Sequence, residues 1–141
     1  MKKTKKGKKD KKVKFVMVGY PVGDFLIRIK NAALARQKEV VVQRTKLIEA
    51  TAKALVKERY LEDLKKDGDE IKVSLTFRAK EPEILGLKLI SKPGLRVYVG
   101  VEELAKRRKP STLFLSTPKG IVSAKDAIKG RVGGEAIFEI W

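Results

Sequence analysis

The chain of 141 residues carries 34 Lys and Arg against 17 Asp and Glu, a formal charge of +17, with no Cys and no His. That balance attracts polyanions, so nucleic acid leads the partner classes, and no apolar run approaches the length of a bilayer span. The missing thiols and imidazoles remove zinc sites, cysteine nucleophiles and the usual neutral-pH general base, while 43% hydrophobic residues still suffice for a core.

Residues 1–14 hold nine Lys against Asp10 alone, and carry +8 of the +17, which leaves +9 to the remainder. With Val13 as their one sizeable apolar side chain they cannot offset the entropy of ordering, so a disordered, phosphate-seeking arm is expected. The positive run leads to only four fairly apolar residues, Phe15 to Val18, too few for a secretory signal, and the cytosol is the expected compartment.

Pro21 suits a first helical turn. Val22, Phe25, Leu26, Ile29 and Ala33 then recur at helical spacing, with Arg28, Lys30 and Arg36 off the stripe. Val40 to Val42 is a short β-branched run, and Thr45 can cap a second helix with the stripe Leu47, Ile48, Thr51, Ala52, Leu55 and Val56. Tyr60 to Leu64 reads as a strand and Asp67-Gly68 as a hairpin signal. Ile71, Val73, Leu75 and Phe77 alternate with Lys72, Ser74, Thr76 and Arg78. The order helix, strand, helix, strand, strand predicts two helices on a small sheet over residues 15–80.

Glu81-Pro82-Glu83 breaks the pattern and opens a second module, residues 81–141. Leu85, Leu87 and Leu89 alternate, Pro93-Gly94 turns the chain, and Val97 and Val99 flank Tyr98, which predicts another pair of strands. Val101 to Arg108 has the length of a short helix ending in Lys106-Arg107-Arg108-Lys109. Leu113 to Leu115 suits a buried strand and Ser116 to Gly120 a tight connection. Ser123 with Asp126 suits a helix start that Gly130 closes, and Glu135 to Trp141 a last strand with Ala136, Phe138 and Ile140 on one face. The expected class is α+β, the second module being mostly antiparallel β with one or two short helices.

Ser116-Thr117-Pro118-Lys119-Gly120 carries the most chemistry. Two small hydroxyls, a cation and a glycine suit a loop that enters a groove and bonds to base edges, ribose hydroxyls and phosphate, although such a stretch alone is more often an ordinary turn. It lacks the glycine spacing and following helix of a nucleotide phosphate loop. Asp24, Asp67, Asp69 and Asp126 form no metal motif, so magnesium-dependent chemistry on nucleic acid has no site and no cofactor is expected.

Four stretches in order, Pro21 to Ala32, Ile90 to Tyr98, Ser116 to Val122 and Val132 to Trp141, resemble the S-eight family of bacterial small-subunit ribosomal proteins. The likeness runs from Tyr20 to Trp141 without a large gap. It implies a structural, non-enzymatic constituent of the small subunit that binds the central domain of its ribosomal RNA and supports assembly. The C-terminal module would grip the minor groove of an irregular helix. Neighbouring small-subunit proteins and the chain's own messenger RNA would be further partners, with no membrane role.

Carried over by residue, the gripping loop is Ser116, Thr117, Lys119 and Gly120, supported by Gly134 and Glu135. The carboxylate would accept from base amino groups or from the loop hydroxyls. Arg28, Lys30 and Asn31 occupy the family's Arg-rich helix motif, and Ser91, Lys92 and Arg96 border the central turn; both sets are expected at phosphates. Tyr98 offers a ring to stack on an unpaired base, against the blander role of half-buried strand packing. Pro118 stands where the family commonly has a third hydroxyl residue, and the Lys-rich extension lies outside the pattern. A nonspecific nucleic-acid chaperone would share the charge and the arm but would not need the four motifs.

Overall fold

The computed structural model describes residues 20–107 and 110–141; the Lys-rich arm and Arg108-Lys109 of the expected helix end lie outside the described residues. Helix α1 (Pro21–Leu34) begins on a proline whose missing N–H is no loss in the first turn, and it buries Val22, Phe25, Leu26, Ile29, Ala32 and Ala33. Strand β1 (Glu39–Gln43) leads to helix α2 (Lys46–Lys57), where Thr45 Oγ1 accepts the Ile48 N–H at 3.1 Å in the capping role expected of it. Leu47, expected on the buried stripe, is exposed. Strands β2 (Leu61–Asp67) and β3 (Glu70–Leu75) form a hairpin around Gly68-Asp69, and β1 pairs with the other edge of β3, giving the antiparallel order β1-β3-β2. Ile71, Val73 and Leu75 are buried while Lys72 is exposed, so this sheet covers one face only.

The alternation expected to run on to Phe77 stops at Leu75. Strands β4 (Phe77–Arg78) and β5 (Glu81–Pro82) make a small hairpin whose turn residues, Ala79 and Lys80, have φ of 53° and 70°. Non-glycine residues enter that region at a cost of roughly 1 kcal/mol or more each. Arg36 offsets part of it by donating from Nη1 to Lys80 O at 3.1 Å and to Glu81 Oε2 at 2.8 Å.

The second sheet is built on β10 (Gly134–Ile140). Strands β6 (Leu87–Leu89) and β7 (Tyr98–Val99) pair with successive parts of one edge, β8 (Thr112–Thr117) pairs with the other, and β9 (Gly120–Ser123) lies beyond β8. Helix α3 (Val101–Lys106) joins β7 to β8, and α4 (Ala124–Lys129) joins β9 to β10 with Ser123 Oγ accepting the Asp126 N–H at 3.3 Å. Leu85 does not join the expected alternation. Its N–H and that of Gly86 turn instead to the Trp141 carbonyl at 2.7 and 3.0 Å, and it is exposed. Among the described residues no helix is long and apolar enough to cross a membrane.

One apolar core runs from α1, α2 and the three-stranded sheet through Leu87 and Leu89 to Phe114, Phe138 and Ile140, whose two phenylalanine rings stack at 4.9 Å. A smaller one, Leu104, Leu113, Leu115, Ala127 and Ala136, lies on the opposite face of the second sheet. Ala136 was expected beside Phe138 and Ile140. A β-bulge between Ala136 and Phe138 inserts Ile137 and reverses the phase of β10, so Ala136 pairs with Leu115 on the smaller core while Phe138 pairs with Phe114 on the larger.

Candidate nucleic-acid interface

At its start β10 runs between β7 and β8, and Glu135 lies opposite Tyr98 on one side and Ser116 on the other. Opposed residues of antiparallel strands project from the same face with Cβ atoms about 5 Å apart, so these three form a row across the end of the sheet. Gly134 makes the row possible, because a Cβ there would strike the Ser116 carbonyl; Gly133 stands in the same relation to the Val99 carbonyl. Tyr98 is 70% exposed, so it is not the packing residue that an isolated strand tyrosine usually is.

Thr117 opposes Gly120, and Pro118-Lys119 form the turn between them. Proline fixes φ at the first turn position, and Gly120 takes a φ of 112° that favours glycine. The Thr117 hydroxyl donates to Gly120 O at 2.9 Å and accepts the Lys119 N–H at 3.1 Å. Its proton is therefore used inside the hairpin and one lone pair remains. The Ser116 hydroxyl, by contrast, makes no hydrogen bond among the described residues. Lys119 Nζ lies 3.5 Å from Gly130 O, a long contact that leaves most of the ammonium to solvent.

Glu135 does not hold the loop hydroxyls. Its Oε2 accepts from Arg96 Nη1 at 3.1 Å, since a guanidinium in reach is a stronger partner than a neutral hydroxyl, and its Oε1 has no hydrogen bond among the described residues. The pairing explains how a carboxylate fits a basic surface. Arg96 also lies over the Tyr20 ring, 5.4 Å from its centroid. The Tyr20 hydroxyl donates to Ser91 O at 3.1 Å, and its pKa is raised by burial and by the Glu135 charge, with Arg96 opposing.

Ser91 corrects its sequence assignment as a phosphate contact. It is 0% exposed, and its Oγ accepts the Val97 N–H at 2.9 Å, fastening the base of the Pro93-Gly94 turn. That turn needs such a clasp: Lys92 and Leu95 exchange backbone hydrogen bonds of 2.9 Å, and Gly94 takes a φ of 85° at the position where a type II turn demands it. Lys92 and Arg96 are left exposed on either side.

The structure does not join Arg28, Lys30 and Asn31 to the row. Arg28 pairs with Asp24 at 3.4 Å one turn earlier, Lys30 is half-buried and Asn31 exposed. Arg28 lies eight positions beyond Tyr20, a rise of about 12 Å along the helix. Sequence reasoning missed Tyr20, for which an aromatic before a helix start is no signal. It also missed a second buttress, where Arg107 Nη2 donates to Glu139 Oε2 at 2.9 Å and to Ser111 Oγ at 2.7 Å. Glu139 was legible in principle, because an acid between two core residues of a strand calls for a cation.

Comparison with known proteins places these features in a wider set. The family described as Ribosomal protein S8 matches residues 20–141. The chain is 43% identical over 126 residues to the small ribosomal subunit protein uS8 of Nitratidesulfovibrio vulgaris, covering 89% of this chain and 100% of that protein. It is 42% identical over 136 residues to the uS8 protein of Persephonella marina, with the same coverage. For that of Mycoplasmopsis synoviae the identity is 39% over 127 residues, covering 86% of this chain and 96% of the relative.

Proposed function

The chain belongs to the ribosomal protein S8 family, a structural and non-enzymatic component of the small ribosomal subunit, and from that premise we propose that it binds small-subunit ribosomal RNA directly, in the central domain. The Ser116–Gly120 hairpin grips an irregular RNA helix by its minor groove. The observation that carries this reading is the row Tyr98, Glu135, Ser116 beside the Lys119 turn, which sets an exposed ring, an acceptor oxygen, an unused hydroxyl and a cation next to one another. A-form RNA suits such a set. Its minor groove is wide and shallow and displays ribose hydroxyls and base edges, while its major groove excludes side chains.

Each group then has a role. The Ser116 hydroxyl and the remaining lone pair of Thr117 meet 2′-hydroxyls or base edges, and Glu135 Oε1 accepts from a base amino group. Tyr98 stacks on an unpaired base. Lys92 and Lys119 meet phosphates while Arg96 stays on Glu135, with Arg28, Lys30 and Asn31 reaching a second RNA segment, and the Lys-rich arm adds affinity without sequence preference. Neighbouring small-subunit proteins and the chain's own messenger RNA complete the partners of a cytosolic ribosome component.

Hydroxyl-radical footprinting of the full chain on full-length small-subunit ribosomal RNA tests this reading. One protected helix in the central domain is the expected result. Uniform protection of every duplex, lost on raising the salt, would identify a nonspecific nucleic-acid chaperone instead.

A further inference from the structure

We propose that Tyr20, at the entry to the amino-terminal helix, is a positioning residue of the RNA-facing row: it holds Arg96 on Glu135 from beneath and so couples α1 to the recognition surface. The proposal rests on the reading that this row meets RNA. Tyr20 is 7% exposed and belongs to the larger core, so it is fixed by packing and does not itself reach a ligand. Its hydroxyl crosses 71 residues of sequence to donate to Ser91 O, and the Ser91 hydroxyl in turn fastens Val97. Arg96 springs from the clasped segment between those two residues, directly above the ring.

An exposed ion pair such as Arg96–Glu135 holds poorly by itself, because two long side chains lose rotamer freedom for a weak, screened attraction. The Tyr20 ring changes that balance. Its negative face attracts the guanidinium and gives it a plane to lie on, while the hydroxyl bond to Ser91 fixes the ring. Without the ring, Arg96 is free to leave Glu135 for solvent. The bare carboxylate would then face the approaching phosphates, repelling them and losing the orientation of its second oxygen.

The test measures binding of the full chain to a central-domain fragment of small-subunit ribosomal RNA and to a random RNA duplex, with folding checked by thermal melts. Tyr20→Phe keeps the ring and should bind within about twofold of the parent, whereas Tyr20→Leu should lose about tenfold on the ribosomal fragment alone. Arg96→Ala should cost about tenfold in the parent but no more than about twofold once Tyr20→Leu is present, since both variants remove one unit. Losses that multiply to about a hundredfold would make Tyr20 a packing residue only and overturn the proposal.

A second measurement does not depend on Tyr20→Leu folding. Arg96 side-chain protons should show an aromatic ring-current shift in the free parent protein, and should keep it in Glu135→Gln, because the ring carries the guanidinium. Absence of the shift, or its loss in Glu135→Gln, overturns the proposal. If Ser116→Ala and Glu135→Gln both bind the fragment as the parent does, the row does not meet RNA and the functional reading falls with the inference. If they weaken binding and Tyr20→Leu does not, the inference alone falls.

Discussion

Two hairpins of the molecule have closely similar construction and opposite chemistry. Gly68-Asp69 and Pro118-Lys119 each join antiparallel strands through two residues, and each relies on a glycine at positive φ, 62° for Gly68 and 112° for Gly120. The first tip reads Asp67, Gly68, Asp69, Glu70 and presents three carboxylates; the second reads Thr117, Pro118, Lys119, Gly120 and presents a hydroxyl and a cation. A two-residue link with one such glycine is common to both, although Gly68 stands inside its turn and Gly120 just after its own. What suits the second to a polyanion is its side chains, and the strand beside it, which brings Gly134 against Ser116 and Glu135 into line.

The largest expected effect comes from breaking that neighbour relation. Gly134→Ala forces a Cβ onto the Ser116 carbonyl, a backbone group that cannot swing aside, and should cost stability at the upper end of the roughly 1–3 kcal/mol typical of overpacking. RNA affinity should fall with it. Gly68→Ala meets nothing within 4 Å and should cost only the roughly 1 kcal/mol of a side chain at positive φ, with RNA binding unchanged. Melts and binding curves on both variants check the contrast; equal effects on RNA binding would abolish the distinction between the hairpins.

Inside the second hairpin the two hydroxyls should separate stability from recognition. Ser116→Ala breaks no hydrogen bond among the described residues, so the melt should barely move while affinity for the specific RNA falls by on the order of 1–3 kcal/mol. Thr117→Val removes two bonds of the turn and should lower stability by about 1 kcal/mol with a smaller loss in binding. A Ser116→Ala protein that binds like the parent would reduce the loop to a turn. Lys119→Ala should have a weaker effect still at moderate salt: binding to specific and random RNA falls together, and the salt slope drops by about one phosphate contact. Asp69→Ala in the acidic hairpin should leave that slope nearly where it was.

Local rules carried most of the fold. Thr45 and Ser123 start their helices where capping chemistry puts them, and Ile71, Val73 and Leu75 bury the face that alternation assigns; Gly130 follows the last helical residue, but the left-handed turn there falls on Arg131, with φ of 54°. What escaped the sequence was set by distant partners. The bulge at Ile137 depends on β8 and on both cores, and Leu85 leaves its strand because Trp141 claims its N–H. The site followed the same division. The chemistry of Ser116, Lys119 and Glu135 was legible from residue type, whereas the burial of Ser91 and the place of Tyr20 under Arg96 arise from contacts 6 to 76 residues apart. The Tyr20 contacts span more sequence than any local pattern covers, and the Ser91–Val97 clasp, although short, is not signalled by residue type.

The smallest effect concerns how both hairpins are moored, since α2 ties each of them by an exposed ion pair of opposite polarity. Lys66, next to the acidic tip, donates to Glu49 of α2 at 2.7 Å, with Lys53 adding a second contact at 3.1 Å. Asp126, in the helix after β9, accepts from Lys57 of α2 at 2.7 Å. The Lys66 and Lys53 hydrogen bonds hold the Glu49 carboxyl below its ordinary range, and the Lys57 hydrogen bond does the same for Asp126. A carboxyl whose folded pKa is depressed favours the folded state when ionised. Its contribution is therefore full above the unfolded pKa, about 4 for either residue, and disappears as pH falls through the lower folded value. Glu49→Gln and Asp126→Asn should each melt slightly below the parent at pH 7, and the gap should close in acid, below about pH 4. Both carboxylates sit in the first turn of their helices, where the helix favours negative charge, so Glu49→Gln, which loses two lysine partners against one for Asp126→Asn, should show the wider gap. A gap that stays constant down to pH 3 would mean that shape rather than charge moors the hairpins. A gap for Asp126 alone would mean that only the RNA-facing hairpin is held by α2.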